Sequence, residues 1–190
     1  ESPAPAARLV HHAEQAGDGN TVLQWAPLAA DQAASLGAHR EAAAHYATAL
    51  HHADLLPDAR RVDLFEQRSY ECYLTGQVPE GIAAREAALA LWRAAGNRLK
   101  EGDTLRWLSR LAWANGQKAD AEARATEAVE ILETLPPGRE LAMAYSNRSQ
   151  LHMLAGDGAP ALRWGRKAID LATALGDSEI LGHALNNVGT

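Results

Sequence analysis

Between Thr104 and Leu135 the chain reads TLRWLSRLAWANGQKADAEARATEAVEILETL, two runs in which apolar residues return every three or four positions on either side of NGQKA. That spacing puts Leu105, Leu108, Val129 and Ile131 on buried helix faces, where they fill the seams to neighbouring units. Gly116 supplies the left-handed residue that ends a helix, and Asn115 beside it is also tolerant of that conformation. The same reading along the chain predicts helices over about 5–16, 20–36, 39–54, 59–75, 79–95, 99–115, 118–134, 139–155, 158–175 and 178–190. Pro27 is expected to kink or divide the second of these. Asp157 is the expected N-cap of the ninth, with Pro160 in its first turn, where the missing amide hydrogen costs little. Pro79 plays the same part earlier. Alternating strand patterns bounded by turn pairs are essentially missing, so the prediction is an all-α protein.

The pattern also repeats. Gly76, Gly116 and Gly156 stand 40 residues apart, as do Ser69, Ser109 and Ser149, then Ala88, Ala128 and Ala168, then Leu91, Ile131 and Leu171; Gly37, Ala42 and Ala49 join one unit earlier at a spacing of 39. Small side chains at fixed places let two helices approach to about 8 Å. Ser109, Ala121 and Ala128 are such contact residues. One helix pair buries too little surface to stand alone, so the pairs are expected to pile up with a shared core.

These residues resemble the tetratricopeptide repeat, a helix-turn-helix unit, in a long form of about 40 residues over roughly 20–190. The matching features are the large residue opening the first helix (Phe65, Leu105, Tyr145, Leu185), the small one a turn later (Ser69, Ser109, Ser149, Gly189), the turn glycine, and two small places in the second helix (Gly81, Ala121, Ala161; Ala88, Ala128, Ala168). Two features depart from the family. The large residue midway along the second helix is kept as Tyr46 but becomes Arg85, Ala125 and Gly165, and the closing proline is absent. The resemblance implies a right-handed superhelical solenoid of antiparallel helix pairs. The units expected are an N-terminal helix at 1–18, repeats at 19–57, 58–98, 99–138 and 139–178, and a truncated repeat at 179–190. Because GHALNNVGT repeats the opening of LAMAYSNRSQ, the chain is expected to continue past Thr190, and the lack of an initiator Met suggests a cut front as well.

Composition narrows the function. With 47% apolar but only 5% aromatic residues, the interior must be built mainly from Ala and Leu. A net charge of −6, without a cluster of Lys and Arg, argues against direct binding of nucleic acid. One cysteine, Cys72, permits no internal disulfide and reads as a small buried hydrophobe in a reducing compartment. No stretch has the length and apolarity of a membrane span, and no signal peptide opens the chain, so a cytoplasmic location is expected. Among eight histidines, the adjacent pairs His11/His12 and His51/His52 point about 100° apart and cannot chelate as an i,i+4 pair does, and His45 and His52 share a face two turns apart. No metal site, nucleophile elbow or singled-out carboxylate pair is expected, and hence no catalysis.

A second resemblance lies in residues 7–55, in LVHHAE…AGD, APLAA and LGAHREAAAHY. They resemble the segment after the ATPase domain in large bacterial LuxR-type, MalT-like ATP-dependent transcriptional regulators. That likeness implies a helical sensor and oligomerisation region between an upstream P-loop ATPase and a downstream helix-turn-helix. No G-x-x-x-x-G-K-[ST] occurs here, so ATP is expected only in the missing upstream domain, and this stretch is expected to need no cofactor.

In tetratricopeptide arrays the first helices line the concave face that holds the ligand. Carried over residue by residue, the resemblance puts Glu66, Tyr70 and Tyr73 there from one repeat, Arg106, Arg110 and Trp113 from the next, and Ser146, Gln150 and Met153 from the third. Arg106 and Arg110 suit a carboxylate or phosphate, and the aromatic residues offer flat faces. Asn147 and Asn187 match the place where peptide-binding members keep an asparagine for the ligand backbone. A plainer alternative stands beside this one: Trp113 and Met153 belong to the core, and the arginines pair with Glu66 or Asp103. The expected partner is a protein, a peptide or a small effector, with self-association possible. A stand-alone adaptor of the same fold is the alternative to a regulator, and an RNA-reading helical repeat is a third reading that the acidic charge disfavours.

Overall fold

The computed structural model describes residues 4–189, and all ten of the longer regular elements among them are α-helices: α1 (Ala4–Ala16), α2 (Gly19–Ser35), α3 (His39–Leu50), α4 (Asp58–Leu74), α5 (Val78–Ala94), α6 (Arg98–Ala114), α7 (Lys118–Leu132), α8 (Arg139–Ala155), α9 (Gly158–Leu175) and α10 (Ser178–Gly189). The chain forms two compact units, one ending at Leu91 and the other beginning at Trp92. The last expected residue of α10, Thr190, lies outside the described residues.

Local chemistry sets the helix ends. Gly37, Gly76, Gly116 and Gly156 have φ of 72–81°, and each lets the next amide reach back five residues: Ala38 to Ala33, Gln77 to Cys72, Gln117 to Ala112 and Asp157 to His152, all at 2.9 Å. This doubling-back satisfies carbonyls that the helix end leaves open. It joins the two helices of each pair: α2 with α3, α4 with α5, α6 with α7, and α8 with α9.

Connections between pairs follow another rule. Gly17, Gly96 and Gly176 make the same left-handed turn, and Asp18, Asn97 and Asp177 after them accept from the amides of Thr21, Lys100 and Ile180 at 3.0–3.1 Å. Those contacts cap α2, α6 and α10. At the two intervening connections proline stands at the corresponding place, as Pro57 and Pro137. The expected third helix, 39–54, stops at Leu50 and is followed by a short 3-10 turn over Ala53–Leu55. Leu56, preceding Pro57, is extended with φ −108° and ψ 148°, as a residue before proline prefers.

Two expectations hold only in a narrower form. Pro27 does not divide the second helix, which runs unbroken from Gly19 to Ser35. The buried Ala26, Ala29 and Ala30 around it hold the helix by packing despite the backbone bond the proline removes. Asp157 stands at the N-cap of α9 but makes no side-chain cap bond; its carboxylate lies 3.7 Å from His152.

In the first unit the core joins Ala6, Val10 and Ala13 of α1 to Val22 and the alanines of α2, to Ala42, Tyr46 and Ala49 of α3, and to Leu64 of α4. In the second, Leu105, Leu108, Ala121, Ala128, Val129 and Ile131 are all buried as expected. The three period serines are at most 1% exposed. Ser69 Oγ donates to the Gly81 carbonyl at 2.9 Å, Ser149 Oγ to the Ala161 carbonyl at 2.8 Å, and Ser109 Oγ accepts from Asn147. Cys72 is buried, and burial pushes its thiol above the ordinary range.

Candidate functional site

A cleft opens in the second unit on the first helices of the pairs. Each helix contributes along the face that recurs every 40 residues: α6 gives Arg106 and Arg110, α8 gives Met143, Ser146, Asn147 and Gln150, and α10 gives His183, Asn186 and Asn187. The cleft is partly open to solvent and its lining is mostly polar. Four residues of the expected set (Arg106, Arg110, Asn147 and Gln150) meet here, together with Ser146 and Asn187 from the same carry-over.

Much of this polar lining is buried and held in place. Arg106 is 6% exposed, and its Nε and Nη2 both engage Asp103 Oδ1, at 2.8 and 2.7 Å. Its guanidinium also lies 5.0 Å from the Trp107 ring, with that of Arg110 at 6.0 Å from the same ring. Asn147 Nδ2 donates to Ser109 Oγ at 2.9 Å, and Asn187 Nδ2 to the Ser146 carbonyl and hydroxyl at 3.0 and 3.1 Å. The two amides are thereby fixed in rotation, and each lines the cleft. An amide carries both donor and acceptor, which is what a peptide group requires of a partner.

The remaining expected residues fall elsewhere. Trp113 is half-buried and packs on Ala112, Ala121, Ala125 and Leu151, with Lys118 5.5 Å from its ring, so core packing accounts for it. Met153 lines a separate, more apolar cleft of about 400 Å³ with Ala161, Leu162 and Val188. In the first unit, Glu66, Tyr70 and Tyr73 lie on α4. Glu66 forms an ion pair with the buried Arg85 at 3.1 Å, Tyr70 is exposed and Tyr73 half-buried. The alternative pairing is thus partly realised: Arg106 pairs with Asp103, while Glu66 pairs with Arg85.

Met143, His183 and Asn186 line the cleft without having been expected there, although the signal is present in the sequence. His183 is Met143 one period on, and Asn186 is Ser146 one period on. Among the described residues, no group of three or more His, Cys, Asp or Glu side chains is arranged to hold a metal ion. No helix among them is long and apolar enough to cross a membrane.

Solved structures share this architecture. BtubC (BKLC) from P. vanneervenii superimposes with a TM-score of 0.73 at 20% identity, covering 98% of this chain and 80% of its own. A putative kinesin light chain from Podosopora anserina, with nearly identical TPR-like repeats, gives 0.63 at 16% identity over 94% of this chain and 100% of its own. A variant of that protein with one residue changed gives 0.65 at 16% identity, with coverages of 94% and 99%. The fold is that of TPR-like helical repeats. No family model matches the sequence, and neither does any curated protein. At these identities the likeness concerns fold alone.

Proposed function

We propose that this chain is a non-catalytic interaction module that holds a protein partner or effector against the face made by its first helices. The observation that carries the reading is the polar cleft of α6, α8 and α10, where a buried arginine and two rotationally fixed amides converge. Polar groups gathered in a concavity and held by their neighbours are what a recognition site needs. The TPR-like fold supports a protein as the partner. The repeat division at 19–57, 58–98, 99–138 and 139–178, with 1–18 as a connector, belongs to the same proposal.

The finer reading places the module in the middle of a LuxR-type ATP-dependent regulator in the cytoplasm, with ATP bound only by an upstream domain and DNA only by a downstream one. Its support is the wording of residues 7–55. A stand-alone adaptor is the alternative, and a gene lacking an upstream Walker motif and a downstream helix-turn-helix decides for it. The binding face itself is tested with a photo-crosslinking residue at Gln150 and, as a control, at exposed Glu130 on α7. Adducts in cells at 150 and not at 130 are expected; equal yields at both positions, or none at 150, overturn the assignment.

A further inference from the structure

In the second unit α7 and α9 flank α8, and in the first α1 and α3 flank α2 in the same way. Side chains fill the first of these seams. Arg148 on α8 donates through Nη1 to Thr126 Oγ1 on α7 at 2.6 Å, and its guanidinium lies 5.1 Å from the Trp164 ring on α9. One turn on, His152 Nδ1 and Asp157 Oδ2 stand 3.7 Å apart. The equivalent places in the first unit lie 119 residues earlier, one spacing of 39 and two of 40. There Thr126, Arg148, His152 and Asp157 are replaced by Ala7, Ala29, Ala33 and Ala38, and Trp164 by His45. These five smaller residues line a cleft of about 250 Å³ that opens to solvent, together with Glu41. The place of Ala29 holds Arg68 and Leu108 in the two repeats between, so alanine stands there in the first repeat alone.

We propose that the cleft between α1 and α3 receives an arginine side chain of a protein partner, its stem along Ala7, Ala29 and Ala33 and its guanidinium against Glu41 and His45. The first unit thereby takes from outside the group that the second supplies itself as Arg148. This docking point is separate from the polar cleft of α6, α8 and α10 and does not rest on it. Two observations carry the choice of arginine. The internal counterpart of the cleft is filled by a guanidinium that lies beside an aromatic ring, and His45 stands where that ring stands. The charge is complementary as well: the Glu41 carboxylate, 62% exposed, lies 3.6 Å from His45 Nε2, on a side chain only 16% exposed. A guanidinium presents a planar fork to the carboxylate and a flat face to the imidazole, which a lysine ammonium does not. Its methylene stem suits a wall of alanine methyl groups. An acidic side chain would meet Glu41 in a chain already at net charge −6, and an apolar one would leave the carboxylate unused.

The probes are the peptide acetyl-Ala-Ala-Arg-Ala-Ala-amide and its counterparts with lysine, norleucine, phenylalanine or glutamate at the centre, titrated into the nitrogen-15-labelled chain. The readout is the backbone amide signals of Ala7, Ala29, Ala33, Glu41 and His45. Saturable shifts are expected from the arginine peptide, with weaker binding of the lysine one. Norleucine or phenylalanine binding as tightly as arginine, tighter binding of glutamate, or no shift from any peptide overturns the proposal. Shifts of the same signals when the chain alone is concentrated would put a second copy in the cleft and overturn it too. Glu41→Gln is expected to weaken binding of the arginine peptide by roughly tenfold or more at an unchanged melting temperature, and undiminished affinity overturns the proposal. Ala29→Arg supplies the guanidinium from within and is expected to abolish peptide binding; if that buried substitution prevents folding, the exposed Glu41→Gln carries the test. Crosslinks at Gln150 without an arginine response remove this inference alone, whereas an arginine response without those crosslinks removes only the reading of the polar cleft.

Discussion

The α4–α5 and α8–α9 pairs share one seam and differ four residues further along. In both, a buried serine on the first helix donates to a carbonyl of a small residue twelve positions on, Ser69 to Gly81 and Ser149 to Ala161. At the next inward position of the second helix one pair has Arg85 and the other Gly165. Arg85 is buried against its own pair, with Nη1 3.1 Å from Glu66 and contacts to Ser69 Oγ and the Glu66 carbonyl at 3.4 Å. Gly165 leaves a space that α10 enters: a Cβ there would lie 2.0 Å from Val188 Cγ1 and 3.0 Å from Ser149 Oγ. The serine seam sets how closely two helices meet. The variable position sets whether a pair completes its interior from within or takes a side chain from the next helix.

The sharpest break in this comparison is Arg85→Ala, which removes the buried guanidinium beside Glu66 and leaves a void. A loss of about 3 kcal/mol is expected from removing the buried partner of a half-buried carboxylate, against a far smaller loss for the joint change Arg85→Met with Glu66→Gln. Urea unfolding of both variants checks it, and equal losses would count against the pairing. Next in size, Gly165→Leu should cost about 1–3 kcal/mol by overpacking. Gly165→Ala is milder because it gains about 1 kcal/mol of helix propensity, and combining it with Val188→Ala should recover stability in thermal melts. Smallest, Ser69→Ala and Ser149→Ala should each cost about 1 kcal/mol, and by similar amounts if the two seams are equivalent. A difference well beyond that figure would show that they are not.

Helix positions are legible to within a few residues because apolar spacing and turn glycines are local signals: α8 and α9 begin and end where the pattern puts them. The period likewise locates the serine seam. Arg85 is not legible. Its position breaks the repeat, and nothing near it announces a partner 19 residues earlier on another helix. Pro57 makes one boundary readable, since it holds Leu56 out of the helical region, whereas the earlier stop of α3 at Leu50 has no such mark in the sequence. At the site, Arg106, Arg110, Asn147 and Gln150 come from the carried-over pattern, while Trp113 is drawn into packing by the small alanines beneath it. That distinction depends on which helix faces which, a matter that spacing along one helix cannot express.

The first unit's interior draws chiefly on the shortest apolar side chain in the genetic code: Ala6, Ala13, Ala26, Ala29, Ala30, Ala33, Ala42 and Ala49 are all buried in one cluster. A methyl group has no rotamers to surrender, so confining it costs no side-chain entropy. Each of these contacts is individually weak, yet what little it contributes is not eroded by frozen torsions, and cohesion there comes from backbones lying close together over many turns.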